Sequence, residues 1–195
     1  FFGRLHRIIG DEPELGSNDA VEPHLKALAE AHWEAGDVNI GTRTRRPAAP
    51  FTTSTLQQDS SRRLGFGTSR TMKIAQELYE GVNVGEGDTG LITYMRTDSV
   101  NVAGIAQEQA REFIQGTFGS EYLPDKPPVY KTRSKTAQEA HEAIRPTSVE
   151  RTPAALKPHL SKDQFRLYKL IWERFVASQM APALYDTVAA EIWAG

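Results

Sequence analysis

A chain of 195 residues suits one domain, or one domain and part of a second. Its 39% hydrophobic and 25% charged content fits a globular class, and its lack of cysteine excludes a disulfide framework or a thiolate metal site. No stretch approaches the roughly 18 apolar residues of a membrane span, Phe1-Phe2-Gly3-Arg4 lacks the apolar core of a signal peptide, and no methionine starts the chain. The reading is a piece excised from a larger cytoplasmic protein. The formal charge of −2 is unevenly spread. Residues 1–40 hold three Lys/Arg against eight Asp/Glu, whereas residues 41–76 hold Arg43, Arg45, Arg46, Arg62, Arg63, Arg70 and Lys73 against Asp59 alone. Such a basic segment either neutralises phosphates or forms a solvated helix face.

In chain order, residues 4–9 read as a short strand and 10–20 as a loop. Val21, Leu25, Leu28, Ala29 and Trp33 recur at helical spacing, predicting a helix over 21–35 that Gly36 stops. Residues 37–44 read as a strand leading into Arg45-Arg46-Pro47-Ala48-Ala49-Pro50, a linker and boundary. Two helices follow, 53–63 capped by Thr53 or Ser54 and ended at Leu64-Gly65-Phe66-Gly67, and 68–80 capped by Thr68 or Ser69. The glycines at 81, 85, 87 and 90 make 81–90 a flexible loop, and 91–95 a strand. A helix over 99–115 would start at Ser99. Residues 116–136 read as irregular, and 137–144 as a short helix ended before Arg145-Pro146. Over 161–178 the stripe from Phe165 to Val176 is a core-facing helix with Ser161 and Gln164 as a capping box. Residues 186–195 alternate as a strand. The fold class is therefore α+β and mainly helical. The expected organisation is a β-rich part over 1–49, a helical domain over 50–181, and a strand over 182–195 returning to the first part.

The chemistry centres on Gly90-Leu91-Ile92-Thr93-Tyr94-Met95-Arg96-Thr97-Asp98-Ser99. A phenol is a weak nucleophile at neutral pH, its ordinary pKa being about 10. It becomes a phosphoryl acceptor when a cation and hydrogen-bond donors hold a phosphate against it. On an extended strand Arg96 shares a face with Tyr94, where a guanidinium holds a phosphate bidentately. The competing reading is an ordinary apolar strand with a structural tyrosine and a surface arginine. Asp98, beside a phosphate, would orient a cation rather than touch the anion. Thr53, Ser54, Gln57 and Gln58 supply neutral donors beside Arg62 and Arg63, Thr97 is one of the hydroxyls set among Tyr94, Arg96 and Asp98, and Thr55 and Leu56 read as packing. His6, His24, His32 and His159 read as surface or structural.

The string ITYMRTDS resembles the active-site signature of type IA DNA topoisomerases. Residues 50–58 (PFTTSTLQQ), Leu64-Gly65-Phe66, Thr71-Met72 and 75–80 (AQELYE) resemble the family's approach to that tyrosine. Residues 138–147 (QEAHEAIRPT) resemble its downstream histidine motif, and Leu167–Trp172 and Val176–Met180 continue the likeness. Met95 resembles the topoisomerase I branch rather than topoisomerase III, where proline is usual. The resemblance covers residues 45–195 strongly and 1–44 loosely. It implies that Tyr94 attacks a DNA phosphodiester and keeps the 5′ phosphate, with Arg96 beside it. It implies that His141 contacts DNA near the cleavage site, paired with phosphate or Asp98. Arg145 either binds the backbone or caps the short helix. The β-rich parts would belong to the arch domain. The family's Mg²⁺ is held by an acidic Asp-x-Asp domain, and no Asp-x-Asp occurs in this chain. The ion would then be bound outside it, leaving this piece inactive alone and acting in a monomer on single-stranded DNA. The rivals are a non-enzymatic DNA-binding module and, less suited to the order of residues, a tyrosine recombinase.

Overall fold

A computed structural model describes residues 5–85, 87–130 and 142–195. The chain divides into two compact units, Phe1–Arg43 with Tyr185–Gly195, and Thr44–Leu184. In the first, helix α1 spans Asn18–Glu30 and is capped by the Ser17 hydroxyl. Strand β1 (Trp33–Arg45) pairs with β4 (Ala183–Ala194), the last strand of the chain. The predicted helix is thus shifted toward the N-terminus, and Gly36 is no stop signal. It lies inside β1, where an added Cβ would fall 2.3 Å from the indole nitrogen of Trp193, so glycine gives that indole its place across the strand. Of the predicted strand at 4–9, the described residues 5–9 hold only an isolated bridge between Ile8 and Asp11.

The second unit is mainly helical. Helix α2 (Thr53–Leu64) starts at Thr52, whose hydroxyl and that of Thr55 form a reciprocal capping box. Thr53 and Ser54 are not its cap, and Thr55 is exposed rather than packed. Gly65, at φ 70°, closes α2 in the left-handed region, as the glycine there predicted. Helix α3 (Thr68–Glu80) has the predicted bounds but starts at Gly67 with no side-chain cap. The expected loop at 81–90 contains a small antiparallel hairpin, β2 (Val82–Asn83) with β3 (Asp88–Thr89).

Helix α4 (Gly104–Thr117) begins five residues later than expected. The Ser99 hydroxyl instead accepts the Asn101 amide in a local turn, competing with helix formation. A 3-10 turn at Ser120–Tyr122 and a short helix α5 (Pro153–Leu156) lead to α6 (Lys162–Ser178), whose Ser161–Gln164 capping box is as predicted. Most of the predicted 137–144 helix lies outside the described residues, and its last part, at 142–144, is not helical.

Two clusters form the core. The larger joins Phe51, Leu56, Leu78, Leu91, Met95 and Ile144 to Leu167, Tyr168 and Ile171 of α6. The smaller sets Ala106, Ala110 and Ile114 of α4 against Val149, Phe175 and Val176. Trp172 touches both, its indole N–H donating to the Val149 carbonyl at 3.0 Å. Buried Tyr168 donates to the Arg151 carbonyl at 2.6 Å, and burial pushes its phenol above the usual range. The apolar stripe of α6 is core, as its spacing predicts.

Candidate active site

The tyrosine segment is extended but is not a ladder strand. Among the described residues its one bridge joins Ile92 to Pro146. It is held instead by separate hydrogen bonds at both ends. The Leu91 amide donates to the Leu78 carbonyl at the end of α3 (2.7 Å), and the Leu91 carbonyl accepts from Thr147 (3.0 Å). The Thr93 amide donates to the Arg145 carbonyl (2.9 Å). The Thr93 hydroxyl donates to the Ala143 carbonyl (2.7 Å) and accepts the Arg145 amide (3.0 Å). At the other end the Thr53 hydroxyl donates to the Met95 carbonyl (2.7 Å) and accepts the Thr97 amide (2.9 Å). The first turn of α2 is thereby tied to the backbone on both sides of Arg96.

This fastening leaves a period-two pattern. Met95 is buried at 1% exposure, while Tyr94 is 43% exposed and Arg96 and Asp98 are also open to solvent. The alternation of buried and open positions accords with the expected sharing of a face by Tyr94 and Arg96, and Asp98 continues it. Among the described residues neither Arg96 nor Asp98 forms an ion pair. Tyr79, near the end of α3, meets Tyr94 edge to face with ring centroids 5.3 Å apart.

The other predicted residues separate into two groups. Ser54, Gln57 and Arg62 line an open depression of about 430 Å³ with Gln58, Ser61 and Thr68. The Gln58 amide donates to the Ser54 hydroxyl at 3.0 Å. Arg63 is exposed on the same helix. Thr97 is partly buried, its hydroxyl accepting the Ser99 amide at 3.1 Å. Arg145, by contrast, is turned inward. Its guanidinium pairs with Glu142 at 2.6 Å and donates to the Pro146 carbonyl at 3.0 Å, leaving its side chain 12% exposed. Glu142 accepts the Ala103 amide at 2.7 Å, so the pair secures the start of α4. Arg145 therefore touches α4 only through Glu142 and, among the described residues, caps no helix itself. His141 lies outside the described residues.

Some of the basic segment is also committed internally. Arg70 pairs with Asp163 and stacks on Phe66 with its guanidinium carbon 4.5 Å from the ring centroid. Tyr79, Thr93 and Glu142 are the contributors that spacing did not single out. The one local signal was the three-residue separation of Glu142 and Arg145, a helical pairing distance that occurs here without a helix.

A family model described as DNA topoisomerase matches residues 11–195. The chain belongs to the DNA topoisomerase family. It is 53% identical over 177 residues to DNA topoisomerase 1 of Xylella fastidiosa strain 9a5c, covering 90% of this chain and 22% of that protein. It is 52% identical over 173 residues to DNA topoisomerase 1 of Campylobacter jejuni, covering 89% of this chain and 25% of that protein. Among solved structures, full-length topoisomerase I from Thermotoga maritima superposes with a TM-score of 0.73 at 42% identity, covering 86% of this chain and 26% of that one. The chain spans about a quarter of the length of the topoisomerases it matches, and its α+β fold matches that of the Thermotoga maritima protein over the superposed part.

Proposed function

We propose that this chain is the tyrosine-bearing part of a bacterial type IA DNA topoisomerase I. The parent enzyme cleaves one DNA strand, passes another through the break and reseals it, relaxing negative supercoils. The observation that carries this reading is the display of Tyr94, Arg96 and Asp98 on the open side of a segment locked by hydrogen bonds at both ends, in a member of the DNA topoisomerase family.

The phenol oxygen of Tyr94 attacks the phosphorus of a single-stranded segment. The bond to the 3′ oxygen breaks, that oxygen takes up a proton, and the 5′ phosphate stays on the tyrosine. The reverse reaction reseals the strand, and ATP is not needed because the phosphodiester energy is kept in the covalent link. Arg96 faces the phosphate and offsets the charge that builds on its oxygens. Asp98 and Thr97 orient neighbours, His141 positions DNA near the cleavage site, and Ser54, Gln57, Arg62 and Arg63 follow the strand along α2. Arg145 acts at one remove, by holding the segment that faces Thr93. Residues 1–49 and 182–195 belong to a β-rich arch, and residues 50–181 to the tyrosine domain.

Among the described residues no three carboxylate or histidine side chains converge as a metal cage. The Mg²⁺ that such an enzyme uses does not fit the side chains described here, and its ligands come from other domains of the same polypeptide. The enzyme is a monomer of the bacterial cytoplasm, associated with the nucleoid. The chain on its own relaxes no plasmid.

The test is trapping of the covalent adduct with the full-length enzyme and a single-stranded oligonucleotide labelled at its 3′ end. Wild-type enzyme retains the label after denaturation. Tyr94→Phe gives no adduct yet binds the oligonucleotide normally, since only the nucleophilic oxygen is gone. An adduct from Tyr94→Phe overturns the assignment, adduct formation only with a 5′ label points to a recombinase-type 3′ link, and binding with no adduct even from wild type points to a DNA-binding module.

A further inference from the structure

We infer that Tyr79 is a positioning residue for Tyr94, an inference that rests on the nucleophile assignment above. Tyr94 stands on an extended segment with 43% of its surface open, so its backbone alone leaves the ring free to choose among staggered rotamers. The Tyr79 ring meets it at 5.3 Å between centroids and 64° between planes, an edge-to-face pair. Tyr79 is itself 40% exposed, which is unusual for a tyrosine whose task is only to fill a core.

The backbone fixes this pair. Tyr79 is the second-last residue of α3, and the preceding carbonyl, of Leu78, accepts the Leu91 amide at 2.7 Å. An added Cβ on Gly90 would lie 2.8 Å from the Tyr79 carbonyl oxygen, so the glycine lets the tyrosine segment approach the end of α3 closely. Two residues whose chain positions are 15 apart are thus bound through one short contact, and the hairpin between them leaves that contact intact. A ring held in one orientation presents its oxygen in line with the phosphorus more of the time, which raises the chemical step and leaves affinity for DNA alone.

The experiment uses the full-length enzyme with Tyr79→Leu, Tyr79→Phe and Tyr94→Phe, and follows single-turnover cleavage of a single-stranded oligonucleotide at saturating enzyme together with equilibrium binding. Tyr79→Leu should slow cleavage about two- to tenfold, the fold equivalent of one aromatic pair, with binding unchanged. Tyr79→Phe should cleave within about twofold of wild type, because the ring edge is retained. A second readout is the fluorine resonance of 3-fluorotyrosine placed at position 94. It should move when Tyr79 becomes leucine, as the ring current is lost, and Tyr79→Met serves the same purpose if the leucine variant does not fold. Wild-type cleavage by Tyr79→Leu, a defect confined to binding, an equal defect in Tyr79→Phe, or an unmoved fluorine line would each overturn the inference. An adduct formed by Tyr94→Phe would instead overturn the nucleophile assignment, while leaving the fluorine result to report on the ring contact.

Discussion

Replacing Thr93 by valine isolates what one hydroxyl does for the tyrosine segment. Valine has nearly the same shape, so no cavity opens and the Thr93 amide keeps its bond to the Arg145 carbonyl. The hydroxyl alone is lost, and with it the donor to the Ala143 carbonyl at 2.7 Å and the acceptor of the Arg145 amide at 3.0 Å. Ala143 is fully buried and Arg145 partly so, so neither stranded group is well placed to find water. Each stranded group costs roughly 1–3 kcal/mol, and with one of the two partly solvated the sum is about 2–4 kcal/mol. At about 1.4 kcal/mol per tenfold, that corresponds to roughly 30- to 700-fold easier local opening. Amide hydrogen exchange at Arg145 in the full-length enzyme reads this directly. Thr93→Ser, which keeps the oxygen, should exchange close to wild type. Exchange in Thr93→Val within about threefold of wild type would refute the view that this hydroxyl joins the two segments.

The other expectations concern charge, space and ionisation. Arg96→Ala should slow cleavage by about 10²–10³-fold, as for loss of one preorganised donor, with Arg96→Lys restoring part of it; single-turnover rates decide. His141→Ala should weaken cleavage or binding more near pH 6 than near pH 8, since a histidine that meets phosphate or Asp98 is charged at the lower pH; titrations at both values test this, and a defect independent of pH would leave only a neutral role. Gly90→Ala places a Cβ 2.8 Å from the Tyr79 carbonyl oxygen and should lower stability by roughly 1–3 kcal/mol, read as a fall in the denaturation midpoint. Burial raises the phenol pKa of Tyr168, so its contribution is intact below the ordinary value of about 10 and is lost as pH climbs from there toward the folded value. Tyr168→Phe should cost about 1 kcal/mol at neutral pH through the lost bond to Arg151 and should flatten that alkaline loss in a pH series of denaturation curves.

The elements that were legible in the sequence are those whose ends are decided locally. Gly65 stops α2 because its backbone is left-handed, and Ser161 and Gln164 start α6 by bonding to each other's backbone. What was missed depends on residues far along the chain. The start of α4 was placed at Ser99 because a serine before an apolar pattern is a good cap, but the side chain bonded just ahead of the helix is Glu142, on the Ala103 amide. The segment around Tyr94 has the alternation of a strand, and its burial follows that pattern, yet its partners are single carbonyls and amides from three other segments rather than a neighbouring strand. Gly36 was read as a stop because a glycine after an apolar helical pattern usually is one, while its actual reason is the indole of Trp193. At the site, spacing alone placed Arg96 on the same side as Tyr94. It could not show that Arg145 is spent on Glu142, since a guanidinium near a motif looks the same in sequence whether it faces out or in.

The bond from Ala103 to Glu142 also has a consequence in time. The helix that begins at Gly104 has no side chain of its own neighbourhood on its first turn, and the carboxylate that serves it is 39 residues further along. While the chain is being synthesised from its N-terminus, α2 and α3 have their end signals as soon as they emerge, but the Ala103 amide at the start of α4 stays open to water until residue 142 is free of the ribosome. Securing of the Ala103 amide and fastening of the tyrosine segment through Ala143 and Arg145 therefore fall in the same interval, so Tyr94 is set in its final place only after most of this unit has been made.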